Sequence, residues 1–416
     1  MRRLLRKTVI SSVLLTILIS NLQCQLYEWR GPERSGIYNE SGLLKEWPES
    51  GPELFWELDG LGEGYSSVTV TDNTVYITGR KKESDVLTAL TLDGKKKWET
   101  VYGDAWVSNH TGSRCTPTYS NGNIFLVSGA GDIVCVDSNG KIKWSKNHYA
   151  LYGSKPLMFG ISESPLVVDN IVIASPGGNK ASIVAFDTET GNLVWEAEPL
   201  KESPQYVNPR LIDIGGRKLI VTLTADHVIG VDAKNGELLW KINYSTITSS
   251  GGMSRKNHAT TPVYRDGHVL IANGYDFVAA MLKLSKDGSS AEVVWENREL
   301  DPHHGGIVLL GDYIYTTNYI SNSMGDWMCV DWNTGKTLWT TRWYNKGPII
   351  SADGMLFMME EKSGHVALAR PNPGKLDIVS EFQVTKGTGP YWAHPVISHG
   401  KLYIRHGEVL MVYAIR

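Results

Sequence analysis

The chain is written in short apolar runs broken at close intervals by Gly, Asp and Asn, and residues 183–195 show the pattern in full: I-V-A-F-D-T-E-T-G-N-L-V-W. Ile183, Val184, Ala185 and Phe186 have the composition of a strand, residues 187–191 are turn chemistry, and residues 193–195 begin a return strand. Asp187 is placed to cap the turn with its carboxylate, and Gly191 to take the positive φ that a tight connection needs. The same arrangement returns at 231–240 (V-D-A-K-N-G-E-L-L-W), 330–339 (V-D-W-N-T-G-K-T-L-W) and 136–144 (V-D-S-N-G-K-I-K-W). It recurs at 94–98 and, more loosely, at 287–295. Trp98, Trp144, Trp195, Trp240, Trp295 and Trp339 end successive units of roughly 42 to 55 residues, the length of a four-stranded propeller blade. One such sheet cannot bury both of its faces, so it must stack on copies of itself.

Inner strands are expected to start near Val68, Pro117, Pro165, Pro209, Pro262, Ile307, Ile349 and Pro395, which predicts an all-β fold: an eight-bladed propeller of four-stranded antiparallel blades. The seventh copy is degenerate, with Phe382 in place of the tryptophan. The eighth has three strands, at 394–398, 401–406 and 409–415, and then the chain stops. Residues 54–58, carrying Trp56, look like the end of a repeat that lacks a beginning. Pairing them with the last blade closes the ring and leaves no free edge. Ahead of them, residues 25–53 are dense in Pro and Gly and read as an extended arm lying on the ring. Residues 54–416 are then one domain, because a repeat array fills this length with a single ring.

Composition adds little that is specific. The 42% hydrophobic content supplies cores between blades, the 42 glycines supply turns, and a net charge of −3 without a basic stripe gives no sign of nucleic acid as partner. Residues 1–24 read as a secretory signal: Arg2, Arg3, Arg6 and Lys7, then an apolar run at 9–19 too short to span a membrane. The mature protein is therefore expected in the periplasm or secreted, with no transmembrane segment. Cys24 stands where a lipoprotein would be acylated, but the bulky Gln23 before it argues against that, and cleavage after Cys24 is simpler. Cys115, Cys135 and Cys329 are an odd set without disulfide spacing and read as small buried hydrophobes.

The pattern Val/Ile-x-x-Leu/Val-Asp-x-x-x-Gly-x-x-x-Trp, repeated over most of residues 54–416, resembles the PQQ-repeat propellers, which include quinoprotein alcohol dehydrogenases and the outer-membrane assembly lipoprotein BamB. W-R-G-P-E-R-S-G at 29–36, H-H-G-G at 303–306 and W-A-H-P at 392–395 resemble a secreted bacterial branch described as PQQ-binding-like or polyvinyl-alcohol-dehydrogenase-like. For the dehydrogenases the resemblance implies PQQ held against a tryptophan, Ca²⁺ on carboxylate and amide oxygens, an aspartate base and often a vicinal Cys-Cys pair. This chain has no Cys-Cys. Glu163, Asn257 and Asp301 could supply hard oxygen ligands and Trp392 could stack, but no motif fixes them in these roles. For BamB the resemblance implies a scaffold that binds a protein partner through outer loops.

Propellers bind ligands where the inner strands open onto the central channel. The residues just before those strands are Tyr65 and Ser66, Arg114, Glu163, Tyr206 and Asn208, Asn257 and His258, His303 and His304, Lys346, and Trp392 and His394, with His110 approaching the second blade. Four of the eleven histidines fall in these short windows. Three explanations stay open. One is a site for a carbohydrate or polyol, with stacking on Trp392 or Tyr65 and proton transfer by His303, His394 or Glu163. Another is a transition metal on His258, His303 and His394. The third is that each polar group pairs with a neighbour or with channel water. An extended backbone at 303–304 would turn the two adjacent histidines to opposite sides, which weakens the metal reading.

Overall fold

The computed structural model describes residues 25–154, 157–247 and 256–416; the expected signal, residues 1–24, lies outside them. Eight four-stranded antiparallel sheets follow one another along the chain. Their innermost strands are Thr69–Val70, Thr118–Ser120, Leu166–Val168, Arg210–Ile214, Val263–Arg265, Val308–Leu310, Ile349–Ala352 and Val396–Ser398. These define blades 1 to 8 of a propeller. Glu53–Leu58 pairs antiparallel with Val409–Ala414 as the outer strand of blade 8, so the ring is closed by an N-terminal strand. Arg405 reinforces this seam, donating from blade 8 to the carbonyls of Gly62, Ser66 and Thr78.

The repeat motif explains how one blade finds the next. In blade 3, Asp187 accepts from the backbone N–H of Glu189 and Thr190, which tightens the turn, and Gly191 has φ +68°. A Cβ there would lie 2.6 Å from the Trp144 ring of blade 2. Gly94 meets Trp56, Gly140 meets Trp98, Gly236 meets Trp195 and Gly335 meets Trp295 in the same way. The indole N–H then donates to a carbonyl of the following blade, as Trp144 does to Thr188 (3.0 Å), Trp195 to Ala233 (3.1 Å) and Trp295 to Trp332 (3.0 Å). Blades 1, 2, 3, 4 and 6 thus each offer a bare glycine turn on which the preceding blade's tryptophan lies. Phe382 keeps the arrangement without an N–H: its ring packs on Gly51, just ahead of the closing strand, and edge-on against Trp47. Apolar residues fill the spaces between neighbouring sheets, and the three described cysteines are free and buried among them, their thiols pushed up to about 12 by burial.

The arm runs inside the ring, not over it. Leu26–Tyr27 pairs antiparallel with the inner strand of blade 2, and Ile37–Tyr38 pairs parallel with the inner strand of blade 7. The arm thus goes up one wall of the channel and down another, with residues 28–36 as the turn between. This apex is held by two buried arginines. Arg30 donates to the carbonyls of Ile307 (2.7 Å) and Ile349 (2.9 Å), and Arg34 to those of Pro165 (2.8 Å) and Pro209 (3.1 Å). Four blades are tied through one turn.

Trp195→Ala removes a core side chain together with its inter-blade hydrogen bond, and should cost about 3–5 kcal/mol in urea unfolding. A cost under about 1 kcal/mol would mean that the seam does not depend on the ring.

Candidate functional site

The loops entering each inner strand and those joining its second and third strands lie at the same end of the ring. There, aromatic rings form a nearly continuous array around Trp392. Its ring centroid is 5.0 Å from Tyr65 (blade 1), 5.1 Å from His110 (blade 2) and 5.4 Å from His304 (blade 6). From His110 the array continues to Phe159 (5.6 Å) and Tyr206 (5.9 Å). From His304 it runs to His303 (4.3 Å), then to Tyr275 (4.8 Å) and Tyr319 (5.1 Å). Arg114 lies over Tyr65 at 5.3 Å. Below, the arm supplies Trp29, whose ring meets His394 edge-on at 5.2 Å, so the mouth has a floor.

The expected site residues divide into two groups. Tyr65, Arg114, Tyr206, Asn257, His303, His304 and Trp392 are half-buried around the mouth. Glu163, Asn208, His258, Lys346 and His394 are buried and occupied within the protein. Asn208 accepts from the N–H of Ser164 (2.6 Å), one link in a girdle that continues from Thr116 to Ser164 Oγ (3.0 Å) and from Ser67 to Thr116 Oγ1 (2.9 Å). Glu163 accepts from the N–H and the hydroxyl of Ser175, at 3.0 and 3.1 Å. Lys346 pairs with Glu361 at 2.7 Å and donates to the carbonyls of Ser321 and Asn322.

His394 and His258 are locked as neutral rings. An arginine can only donate, so His394 Nδ1 accepts from Arg30 (2.7 Å) and its Nε2–H donates to the carbonyl of His304 (2.9 Å). His258 likewise donates from Nε2 to Ala225 O (3.1 Å) and accepts at Nδ1 from Asn273 (2.6 Å). Burial pushes His258 down to about 4 and His304 to about 3, and holds His303 and His394 well below the usual histidine range; Arg30 adds to the effect at His394. At 3.5 Å from Glu361, a neutral His304 makes no ion pair. These contacts take His394 and Glu163 away from the expected proton-transfer role, since neither presents a free atom to the mouth. His303 stays at the surface, with Nε2 2.9 Å from the Tyr275 hydroxyl and a buried Nδ1 that has no partner among the described residues. The backbone at 303 is not extended: φ is +58°, so both adjacent rings face the mouth, contrary to the expectation from alternation.

The metal readings do not assemble. His258 and His394 have both ring nitrogens engaged, and among the described residues no group of three or more His, Cys, Asp or Glu is arranged to hold an ion. Of the oxygen donors considered for Ca²⁺, Glu163 is held by Ser175 and Asp301 by the N–H of Tyr319 (2.9 Å), each within its own blade region. The residues present therefore do not fit a calcium-bridged quinone. Sequence reasoning did not find Phe159, Tyr275, Tyr319, Glu361 or the floor residues Trp29 and Arg30. The first four sit in loops of irregular length, whereas W-R-G-P-E-R-S-G is visible in the sequence, and the structure places it within the channel instead of on the ring.

With this geometry in view, comparison with known proteins is informative. The family model described as outer membrane protein assembly factor BamB matches residues 82–341. The chain belongs to that family. The BamB of Moranella endobia is 31% identical over 211 residues, covering 49% of this chain and 50% of that protein. The dehydrogenase subunit of a quinone-type alcohol dehydrogenase from Komagataeibacter europaeus is 27% identical over 161 residues, covering 35% of this chain and 21% of its own length. This chain thus spans half or less of either curated relative. Among solved structures, BamB from Moraxella catarrhalis superposes with a TM-score of 0.60 at 15% identity, covering 87% of this chain and 97% of that one. A quinohemoprotein alcohol dehydrogenase from Pseudomonas putida HK5 gives 0.60 at 11% identity, covering 92% and 79%. At such identities the likeness is one of fold, common to BamB-type and quinone-type rings. Among the described residues no helix is long and apolar enough to cross a membrane.

Burial also pushes Asp85 and Glu163 up to about 7 and Asp301 up to about 8. A carboxyl raised on folding contributes stability that is complete below its unfolded pKa, about 4, and is lost as pH rises through the folded value. The buried histidines act oppositely: their contribution is complete above about 6.5 and is lost as pH falls toward their lowered values. Above pH 6.5 the carboxyls alone among these groups change, so the melting temperature should fall between pH 6.5 and 8.5. The fall should be smaller in Glu163→Gln and Asp301→Asn; an unchanged slope in both would contradict the assignment.

Proposed function

We propose that this protein is an exported binding propeller whose aromatic mouth takes a carbohydrate or polyol, and that residues 1–24 direct it to the periplasm. The observation that carries the reading is the ring array around Trp392 over a closed floor. Trp392, Tyr65 and His110 offer apolar ring faces to the C–H face of a sugar, while Arg114 and Tyr206 offer polar atoms to its hydroxyls. Neutral histidines suit an uncharged ligand, because hydrogen bonds to hydroxyls need no change of protonation at pH 7. The poor fit of the residues to a calcium-bridged quinone supports binding over quinone-dependent oxidation. The periplasmic placement is supported by the apolar run at 9–19 and by the likeness to an outer-membrane assembly factor.

A second reading has its own observation. Val107, Met158, Ile320 and Met324 are exposed apolar side chains on loops at this same end, with Met158 60% exposed. Such a rim favours a protein segment lying across the mouth, in keeping with the assembly role that the Moranella relative's name carries.

Titration calorimetry against a panel of mono- and oligosaccharides and polyols tests the first reading. A member of the panel should bind, and Trp392→Ala should weaken it by about tenfold or more, the scale of an aromatic contact worth about 1.4 kcal/mol. Absence of binding across the panel, or equal binding by the variant, would overturn it. Photo-crosslinking from Met158 and Ile320 to one protein partner would then favour the second.

A further inference from the structure

The arm divides the channel unevenly. Because its two strands line blades 2 and 7, a crescent is left along the inner strands of blades 3 to 6, on the far side of the apex from the mouth. Two adjoining cavities of about 450 and about 440 Å³ fill this crescent and share Pro32, Glu33, Arg34, Arg210 and Tyr264. Their roof is Arg34, bound to the carbonyls of Pro165 and Pro209, and their walls run down toward the turn at Asp213 and Lys218. The space is therefore blind, opening at the end opposite the mouth.

Within it one cation is incompletely satisfied. Arg210 is 5% exposed, and its Nη2 donates to Glu33 at 2.7 Å, while its buried Nε has no partner. The other cations are engaged: Arg34 with Glu28 and two carbonyls, Lys218 with Asp169, and Arg265 with Asp312. Nε–H and Nη2–H form one edge of a guanidinium, which a carboxylate fits with two parallel bonds. Glu33 provides a single oxygen to that edge, and its side chain is 76% exposed, free to swing away. The wall beside it is apolar, formed by Leu26, Leu166, Val167 and Leu211.

We propose that this lower chamber binds an amphiphilic monocarboxylate, its head on the Nε/Nη2 edge of Arg210 and its hydrocarbon body along the apolar wall, with Glu33 as the internal carboxylate that holds the place until the ligand displaces it. The site is independent of the mouth, lying on the other side of the arm.

Octanoate and its neutral counterpart 1-octanol are the probes, titrated calorimetrically into the full protein. Octanoate should bind saturably and 1-octanol should not. Glu33→Gln, which removes the competing charge, should tighten octanoate about tenfold, and Arg210→Lys, which loses the two-pronged edge, should weaken it about tenfold or more. Trp392→Ala should leave octanoate binding unchanged, which separates this result from the fate of the mouth reading. Equal binding of octanol and octanoate, or no gain in Glu33→Gln, would overturn the proposal. The Glu33→Gln comparison decides the matter even if Arg210→Lys does not fold.

Discussion

Two guanidinium groups at the centre of the ring hold the turn that separates the mouth from the chamber below it. At the upper ends of the inner strands the sheet ladders stop, and carbonyls near the axis need donors that no neighbouring strand provides. Arg30 and Arg34 supply them, reaching five positions in blades 3, 4, 6, 7 and 8 from a single turn. A buried cation is costly unless its donors are all used. Arg30 has no carboxylate within its set of partners, only two carbonyls and the Nδ1 of His394; burial lowers it to about 10, which leaves it charged at neutral pH. Its demand for an acceptor is what fixes the tautomer of His394. Arg34 has Glu28 at 2.8 Å as well as its carbonyls. The same turn is floor to the mouth and roof to the chamber below, so the channel is not a pore but two blind spaces placed back to back.

Around this centre, most of the blades are held by one repeated contact. A ring lies on a turn that has no side chain, and an indole N–H finds a carbonyl beyond it. Where the tryptophan is lost, at Phe382, the glycine partner is retained at Gly51 and the arm adds Trp47. Closure and plugging are thus contiguous in sequence: residues 25–58 thread the channel, seat Phe382 and finish blade 8. In this BamB-family ring, residues 25–58 touch most of the blades.

Much of the fold was legible because its signals are local. Gly and Trp four residues apart, with Asp opening the turn, state both the hairpin and the blade period without reference to anything distant. The positions facing the mouth were legible for the same reason, since periodicity fixes which residues precede each inner strand. What those side chains do there was not. Whether Glu163 faces solvent or Ser175 depends on a loop in its own blade, and whether His394 is a free base depends on Arg30, more than three hundred residues away. The left-handed turn at His303, which brings two adjacent rings to one side, has no signature in a pattern that assumes extended backbone. The arm was misplaced because Pro and Gly density says that a segment is irregular, not which surface receives it.

The threading of the arm is the claim on which the floor, the roof and the neutral histidines all rest. Hydrogen–deuterium exchange of a peptide covering residues 29–38 in the native protein tests it most directly. If the arm lies within the channel, the amides of Gly31, Arg34 and Gly36, bonded within the apex, and those of Ile37 and Tyr38, on the wall of blade 7, should exchange as slowly as the inner strands of the blades. Exchange at the rate of an open surface segment, with the blade strands still protected, would contradict it.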